Sequence, residues 1–178
     1  MGTIITVKDV ENSIRNIPDF PQKGIQFKDI TTALKNPDIF SFVADELFKQ
    51  YEGKGITKVV GIESRGFIMA SILAYKLKAG FIPIRKPGKL PAPTFSKSYS
   101  LEYGLNTLHI HQDALDKDDV VLLHDDLLAT GGSASAAVEL INKFDVRNIY
   151  ISFICELTFL KGREILGTEN NIQTLIKY

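Results

Sequence analysis

The sequence has little of what marks secreted, disulfide-bonded or membrane proteins. Its 178 residues include one cysteine, which excludes an intrachain disulfide and does not by itself make a zinc site. No apolar run reaches membrane-spanning length, and the first residues lack the basic stretch and long apolar core of a signal peptide. We therefore expect a cytoplasmic protein with no membrane partner.

An excess of one charge sign is also missing. The 21 lysines and arginines balance 21 aspartates and glutamates, which argues against nucleic acid as the main partner and requires any anion site to be local. No predicted strand is followed by G-x-G-x-x-G, which disfavours a dinucleotide enzyme, and Leu90 after Lys89 departs from a Walker loop. The length and the 44% hydrophobic content suit one soluble globular domain.

The most informative stretch that is present is VVLLHDDLLATGGS, residues 120–133. Val120 to Leu123 has the pattern of a short buried parallel strand, and Asp125 and Asp126 follow at its end. The next segment, SASAAVELINKF, has the composition and apolar spacing of a helix. Between the acids and this helix lies a turn of small residues, Ala129, Thr130, Gly131, Gly132 and Ser133.

This order of strand, acids, turn and helix indicates a sugar-phosphate site. Glycine main-chain N–H groups, hydroxyls and a helix N-terminus together attract an anion. Carboxylates repel phosphate, so the two acids must serve another part of the ligand, and vicinal sugar hydroxyls would donate to them. Taken separately, the acids could be a solvated strand end and the turn a plain helix start; their combination favours the sugar phosphate.

The rest of the chain alternates strands and helices, which predicts an α/β fold with a mostly parallel, twisted sheet and helices on both faces. A short amphipathic helix is expected over Glu11 to Ile17. We expect His109 and His111 to be strand residues that face solvent, and His124 to be a partly buried, hydrogen-bonded histidine. Further strands are predicted over 58–62, 81–84, 148–154 and 172–176, and helices over 37–52 and 67–77.

DDLLATGG resembles the 5-phosphoribosyl diphosphate (PRPP) motif of the type I phosphoribosyltransferases, in the form typical of their adenine-specific members. Five other segments are similar to the same enzymes in order and spacing: PDFPQKGIQFKDIT, KVVGIESRGF, PIRKPGKLP, YSLEYG and CELTFLKGRE. The match covers nearly the whole chain. It implies one phosphoribosyltransferase domain over residues 1–178, with a small N-terminal hood over 1–35 and a flexible active-site flap over 87–108.

The resemblance also implies an activity. It is the transfer of the phosphoribosyl group of PRPP to adenine, giving AMP and pyrophosphate, which is a pentosyltransferase step of purine salvage. Mg²⁺ would be held mainly through the substrate rather than by protein ligands. The other implied partners are the small molecules adenine and PRPP and a second copy of the chain in a homodimer.

The implied site residues fall into four groups. Glu102 would be catalytic, beside the ring nitrogen that bonds to ribose, and Asp125 and Asp126 would hold the ribose hydroxyls while 129–133 hold the 5′-phosphate. Lys28 stands where the family usually has arginine, so the charge is kept but the planar fork is lost. The pyrophosphate group is Arg65, Lys86, Lys89 and Tyr103, and the adenine group is Ile25, Gln26, Phe27, Lys28, Leu127 and Leu157.

A non-proline cis peptide is expected at Glu63-Ser64 because the family carries one in this loop. Three points remain open from the residues alone. Phe27 could equally be a packing residue. The base could be hypoxanthine, xanthine or a pyrimidine. A PRPP-sensing regulator on the same fold is a further alternative, although its usual DNA-binding module has no counterpart in this N-terminal segment.

Overall fold

The fold is built around one five-stranded parallel sheet with the strand order β4-β3-β7-β8-β9. It is seen in a computed structural model that describes residues 4–19, 26–101, 104–167 and 171–178. The sheet strands are β3 (Lys58–Ile62), β4 (Gly80–Ile84), β7 (Val120–Leu128), β8 (Asn148–Glu156) and β9 (Ile172–Lys177).

Helices cover both faces of this sheet, as predicted. On one face α3 (Pro37–Tyr51) and α4 (Gly66–Leu77) pack with α1 (Val7–Ser13) over a core that includes Leu122. On the other face α5 (Gly132–Ile141) and α6 (Gly162–Leu166) pack over a second core that includes Leu123. Successive strand residues face opposite sides, so a central strand buried on both faces must be a continuous apolar run.

Two small antiparallel ribbons are added to this sheet. Strands β1 (Arg15–Pro18) and β2 (Gln26–Asp29) form the first, and the four-residue helix α2 (Thr31–Leu34) follows it. The second is a hairpin of β5 (Thr94–Leu101) and β6 (Gly104–His111), which packs against α5. The first ribbon lies within the predicted hood and the second overlaps the predicted flap; the bounds and the motion of both stay predictions.

Three local predictions were wrong. The first helix begins at Val7 rather than Glu11, because Thr6 and Asp9 form a reciprocal capping box, and the chain from Arg15 pairs with β2 instead of continuing as helix. His109 and His111 are half-buried, since Nδ1 of His109 lies 3.0 Å from Oγ1 of Thr94 and Nε2 of His111 is buried.

The third error concerns the acids, which lie inside β7 rather than after it. Pairing of β7 with β3 ends at His124, whereas pairing with β8 continues to Leu128 opposite Glu156. The two acids therefore extend past β3 while β8 still holds their main chain. Among the described residues, no helix is both long and apolar enough to cross a bilayer.

Candidate active site

The site lies where the strand order reverses. Strand β3 pairs with β4 on one side and with β7 on the other, so the loops that leave β3 and β7 diverge from neighbouring strands. Such a point, at the carboxyl ends of parallel strands, is where open α/β sheets bind ligands. The cleft there is lined by Arg65, Phe153 and the run 125–134.

The small-residue loop after β7 is held in shape by main-chain packing. Gly131 has φ 86°, a conformation that favours glycine, and its carbonyl accepts from Ser135 in the first turn of α5. A β-carbon on Gly131 would lie 2.6 Å from the Gly162 carbonyl oxygen, and one on Gly162 would overlap the Ala129 carbonyl oxygen. The loop and the start of α6 therefore pack at a distance that only glycine allows on both sides.

The two acids differ in surroundings. Asp126 is 3% exposed, whereas part of Asp125 opens into the cleft. Oδ1 of Asp125 accepts from the Asp126 main-chain N–H at 2.9 Å. Gly66 leaves room for Asp125, because a β-carbon there would lie 2.8 Å from its Oδ1.

The pair is costly to ionise. Burial and then the charge of Asp126 raise the pKa of Asp125 well above its usual range. Burial also raises the pKa of Asp126, although Arg65 opposes that shift. Nε of Arg65 is 2.7 Å from Oδ2 of Asp126, but this oxygen has no aligned hydrogen bond within the described parts of the chain. The cleft thus carries a buried acid pair that would gain from donors supplied by a ligand.

Glu63 joins the two loops in which the pyrophosphate-binding cations are predicted. Its Oε2 accepts from Nε of Arg85 at 3.2 Å and from the Lys86 main-chain N–H at 2.9 Å. The Lys86 N–H lowers the pKa of Glu63 most, burial opposes that shift, and Arg85 lowers the pKa further. A carboxylate after β3 therefore sets the loop after β4 beside the Arg65 turn.

The hood strand reaches the same edge of the sheet. The Arg65 guanidinium carbon lies 5.1 Å from the centre of the Phe27 ring, and the Lys28 ammonium lies 3.9 Å from the centre of the Tyr178 ring. Leu157, which is 5% exposed, follows β8 beside β7. The residues around the predicted base site therefore come from three distant parts of the chain.

Comparison with known proteins agrees with this geometry. The profile of the phosphoribosyl transferase domain family matches residues 30–164. The chain belongs to the phosphoribosyltransferase family. Two curated relatives are adenine phosphoribosyltransferases: that of Bacteroides thetaiotaomicron is 53% identical over 97% of this chain and 98% of its own. That of Chloroflexus aurantiacus is 52% identical over 98% of this chain and 100% of its own.

Solved structures of this phosphoribosyltransferase family superpose closely. The Giardia lamblia enzyme in complex with 9-deazaadenine has a TM-score of 0.94 at 43% identity and covers 98% of this chain and 99% of its own. The adenine phosphoribosyltransferase of Saccharomyces cerevisiae, in complex with an imino-altritol bisphosphate and adenine, has a TM-score of 0.88 at 36% identity. It covers 95% of this chain and 97% of its own. The predicted type I phosphoribosyltransferase fold is therefore confirmed.

The structure brings only some of the predicted site residues together in one cleft. Asp125, Asp126, Leu127, the run 129–133 and Arg65 line one cleft. Gln26, Phe27, Lys28 and Leu157 lie outside that lining, as do the exposed Lys86 and Lys89. The peptide bond between Glu63 and Ser64 is cis, as predicted. His124 is hydrogen-bonded as predicted, with Nδ1 3.1 Å from Oγ of Ser152, but it is fully rather than partly buried. Ile25, Glu102 and Tyr103 lie outside the described residues, and the roles of all these positions stay predictions.

Four residues around the site escaped the sequence argument. Gly162 packs against the small-residue loop after β7, while Glu63 links two loops. Tyr99 of the hairpin accepts a hydrogen bond from Oγ of Ser133 at 3.0 Å, and Tyr178 contacts Lys28. Only Gly162 could have been noticed in the sequence, as a glycine between two charged residues. The other three residues could not, because they make contacts between distant segments.

Proposed function

We propose that this protein is an adenine phosphoribosyltransferase, which converts adenine and PRPP to AMP and pyrophosphate. The observation that carries the proposal is the junction, in one cleft, of a glycine-built phosphate loop, a buried acid pair and Arg65. Relatives of that name, about half identical over nearly the full chain, support adenine as the base. The pathway served would be purine salvage.

The phosphate loop would bind the 5′-phosphate of PRPP. Main-chain N–H groups of the run 129–133 and the N-terminus of α5 supply donors and partial positive charge. Ser133 adds a hydroxyl, which now donates to Tyr99. Because Gly131 and Gly162 hold this loop before any ligand binds, little conformational entropy is lost on binding.

The acid pair would hold the ribose. Hydroxyl groups at C2′ and C3′ can donate to Asp125 and Asp126, which stabilises carboxylates that burial otherwise disfavours. With the phosphate fixed at one end and the hydroxyls at the other, C1′ is presented in one orientation. Bond breaking at C1′ gives an oxocarbenium-like ribose, so stabilisation of charge dominates catalysis.

The leaving pyrophosphate would be neutralised by Arg65, Lys86, Lys89 and Tyr103. Arg65 already lies at the cleft, and Glu63 sets the loop that carries the two lysines. No group of three or more histidine, cysteine or acidic side chains that could hold a metal occurs among the described residues. Mg²⁺ would therefore be bound chiefly by PRPP with Asp125 and Asp126 nearby, and when bound it supplies charge neutralisation at pyrophosphate.

The base would lie between the hood and Leu157. Main-chain groups of Ile25 and Gln26 can offer an adenine edge a donor and an acceptor, with Phe27, Lys28 and Leu127 around the ring. Glu102 would assist proton movement at the adenine nitrogen or stabilise the cationic ribose. Closure of the flap over 87–108 would exclude water, and the working form would be a cytoplasmic homodimer.

The test is a base-competition assay with purified protein, Mg²⁺ and PRPP. Adenine, hypoxanthine, guanine and uracil are supplied separately, and pyrophosphate release is followed. We expect release with adenine alone. Release with another base would overturn the assignment of the base pocket, and no release with any base, with PRPP binding intact, would indicate a regulator.

A further inference from the structure

The contact between Lys28 and Tyr178 joins the hood to the segment after β9. The Lys28 ammonium lies 3.9 Å from the centre of the Tyr178 ring, whereas the other described cation–π contacts measure 5.1 to 5.5 Å. Both residues are half-buried. A lysine ammonium is a point charge without the planar fork of arginine, and the face of an aromatic ring suits it.

The main chain of Tyr178 is bound to the strand end that carries Leu157. Its carbonyl oxygen accepts from the Thr158 N–H at 3.0 Å and from Oγ1 of Thr158 at 2.6 Å. Its own N–H donates to the Glu156 carbonyl at 2.9 Å. Tyr178 is therefore hydrogen-bonded to the residues on either side of Leu157, and Leu157 is buried.

At the hood end, Lys28 is the neighbour of Phe27 in β2. Phe27 lies toward Arg65 at the edge of the cleft, and successive residues of a strand point to opposite sides. A contact that fixes Lys28 from one side thus fixes the position of Phe27 on the other.

We propose that Tyr178 is a positioning residue for the base pocket: its ring holds Lys28, and with it the hood strand, at a set distance from Leu157. This inference rests on the proposed function. Tyr178 touches no reacting atom and acts through Lys28 and Thr158. Loss of the ring loosens the base-binding wall and leaves the PRPP-binding loops unchanged.

The test compares Tyr178→Leu, Tyr178→Phe, Lys28→Met and the double variant Tyr178→Leu/Lys28→Met. Steady-state KM is measured separately for adenine and for PRPP. We expect Tyr178→Leu to raise KM for adenine about three- to tenfold, the range of a partly desolvated cation–π contact, with KM for PRPP within twofold of wild type. Lys28→Met should give the same split, and the double variant should be no worse than either single variant.

The phenylalanine variant separates the ring from the hydroxyl, which donates to the Glu11 carbonyl at 3.4 Å. Tyr178→Phe should restore adenine KM to within twofold of wild type. Lys76→Met is the matched control, since Lys76 lies 5.1 Å from the Phe48 ring near the far end of α4. It should change neither KM.

Each result decides the proposal. Equal rises in both KM values, additive effects in the double variant, or failure of Tyr178→Phe to restore adenine KM would overturn it. If Tyr178→Leu does not fold, Lys28→Met alone must show the split. If wild type makes no AMP from adenine, the proposed function fails; if wild type does and Tyr178→Leu leaves adenine KM unchanged, only this inference fails.

Discussion

On the side of the cleft where phosphate binding is proposed, two main-chain segments approach so closely that Gly131 and Gly162 leave no space for a β-carbon. On the proposed base side, the predicted hood meets the segment after β9 through the side-chain contact of Lys28 with Tyr178, and its own two strands are joined by the pair Arg15 with Asp29. Backbone packing cannot adjust without moving strands, whereas half-exposed side chains can repack. We therefore expect the proposed phosphate site to be rigid and the proposed base site to depend on contacts that are individually weak.

The strongest test of this difference is Gly162→Ala. The added methyl group would overlap the Ala129 carbonyl, so the phosphate loop must shift. We expect a loss of at least hundredfold in kcat/KM for PRPP, because misplacement by about 1 Å has that effect on a preorganised site. AMP affinity measured by calorimetry should fall in parallel.

Gly80→Ala is the control for that variant. Its methyl group would come closest to Cδ of Lys58, at 3.0 Å, and this flexible side chain can move aside; the next atoms, at 3.6 and 3.9 Å, are at ordinary contact distances. Near-normal PRPP kinetics in Gly162→Ala would show that the loop is not held rigidly and would remove the contrast.

Glu63→Gln tests the link between the two predicted pyrophosphate loops. An amide oxygen can still accept these hydrogen bonds but lacks the charge that strengthens the bonds from Arg85 and Lys86. We expect about a tenfold fall in kcat/KM for PRPP, with adenine KM unchanged. Glu46→Gln, which breaks an exposed pair with Lys49, is the control, and an equal loss there would contradict a role for Glu63.

Asp29→Asn tests the base of the hood. Nη2 of Arg15 lies 2.5 Å from Oδ2 of Asp29, and Thr31 donates to Oδ1 through its N–H and its hydroxyl. We expect about a threefold rise in adenine KM and a loss of roughly 1 kcal/mol in the free energy of unfolding at pH 7. KM for PRPP should not change.

The pH dependence of that loss follows from the Asp29 pKa. Hydrogen bonds from Thr31 and then Arg15 lower this pKa from 3.8 to about 2. The stability that wild type has over Asp29→Asn is therefore present above pH 3.8 and disappears as pH falls toward 2. Asp118→Asn, at a 77% exposed pair with Arg147, should show no such dependence in urea titrations.

The smallest effect on stability at neutral pH is expected from His124, which directly precedes the acid pair in β7. Burial lowers the pKa of His124 from 6.5 to about 3, so the folded state disfavours its charged form. The contribution of His124 to the free energy of unfolding should be constant above pH 6.5. Between pH 6.5 and 3 this contribution should fall by about 1.4 kcal/mol per pH unit, because the unfolded chain binds one more proton at this side chain.

The double variant His124→Leu/Ser152→Ala removes the titrating group and its partner together. Urea titrations across this pH range should show a shallower slope than wild type by about that amount. Equal slopes would mean that His124 binds its proton without opening the core.

The sequence predicted more of the structure in one of these regions than in the other. The positions of the small-residue loop, the two acids and the strands around them were predicted because these residues are neighbours in the sequence and follow short-range rules of strand, turn and helix. The Arg65 position followed from a strand-to-helix turn. The exact end of β7 was missed because it depends on which neighbouring strand continues to pair, and β8 extends further than β3.

The sequence by itself determined the α/β class, the order of most strands and helices and the small-residue turn in which phosphate binding is predicted, because hydrophobic period and glycine conformations act within a few residues. Only the tertiary structure decided that Gly162 closes against Ala129, that Glu63 holds the loop after β4 and that Tyr178 meets Lys28. The residues of each pair lie 22 or more positions apart in the chain. No local pattern records such contacts, since the sheet order brings the segments together.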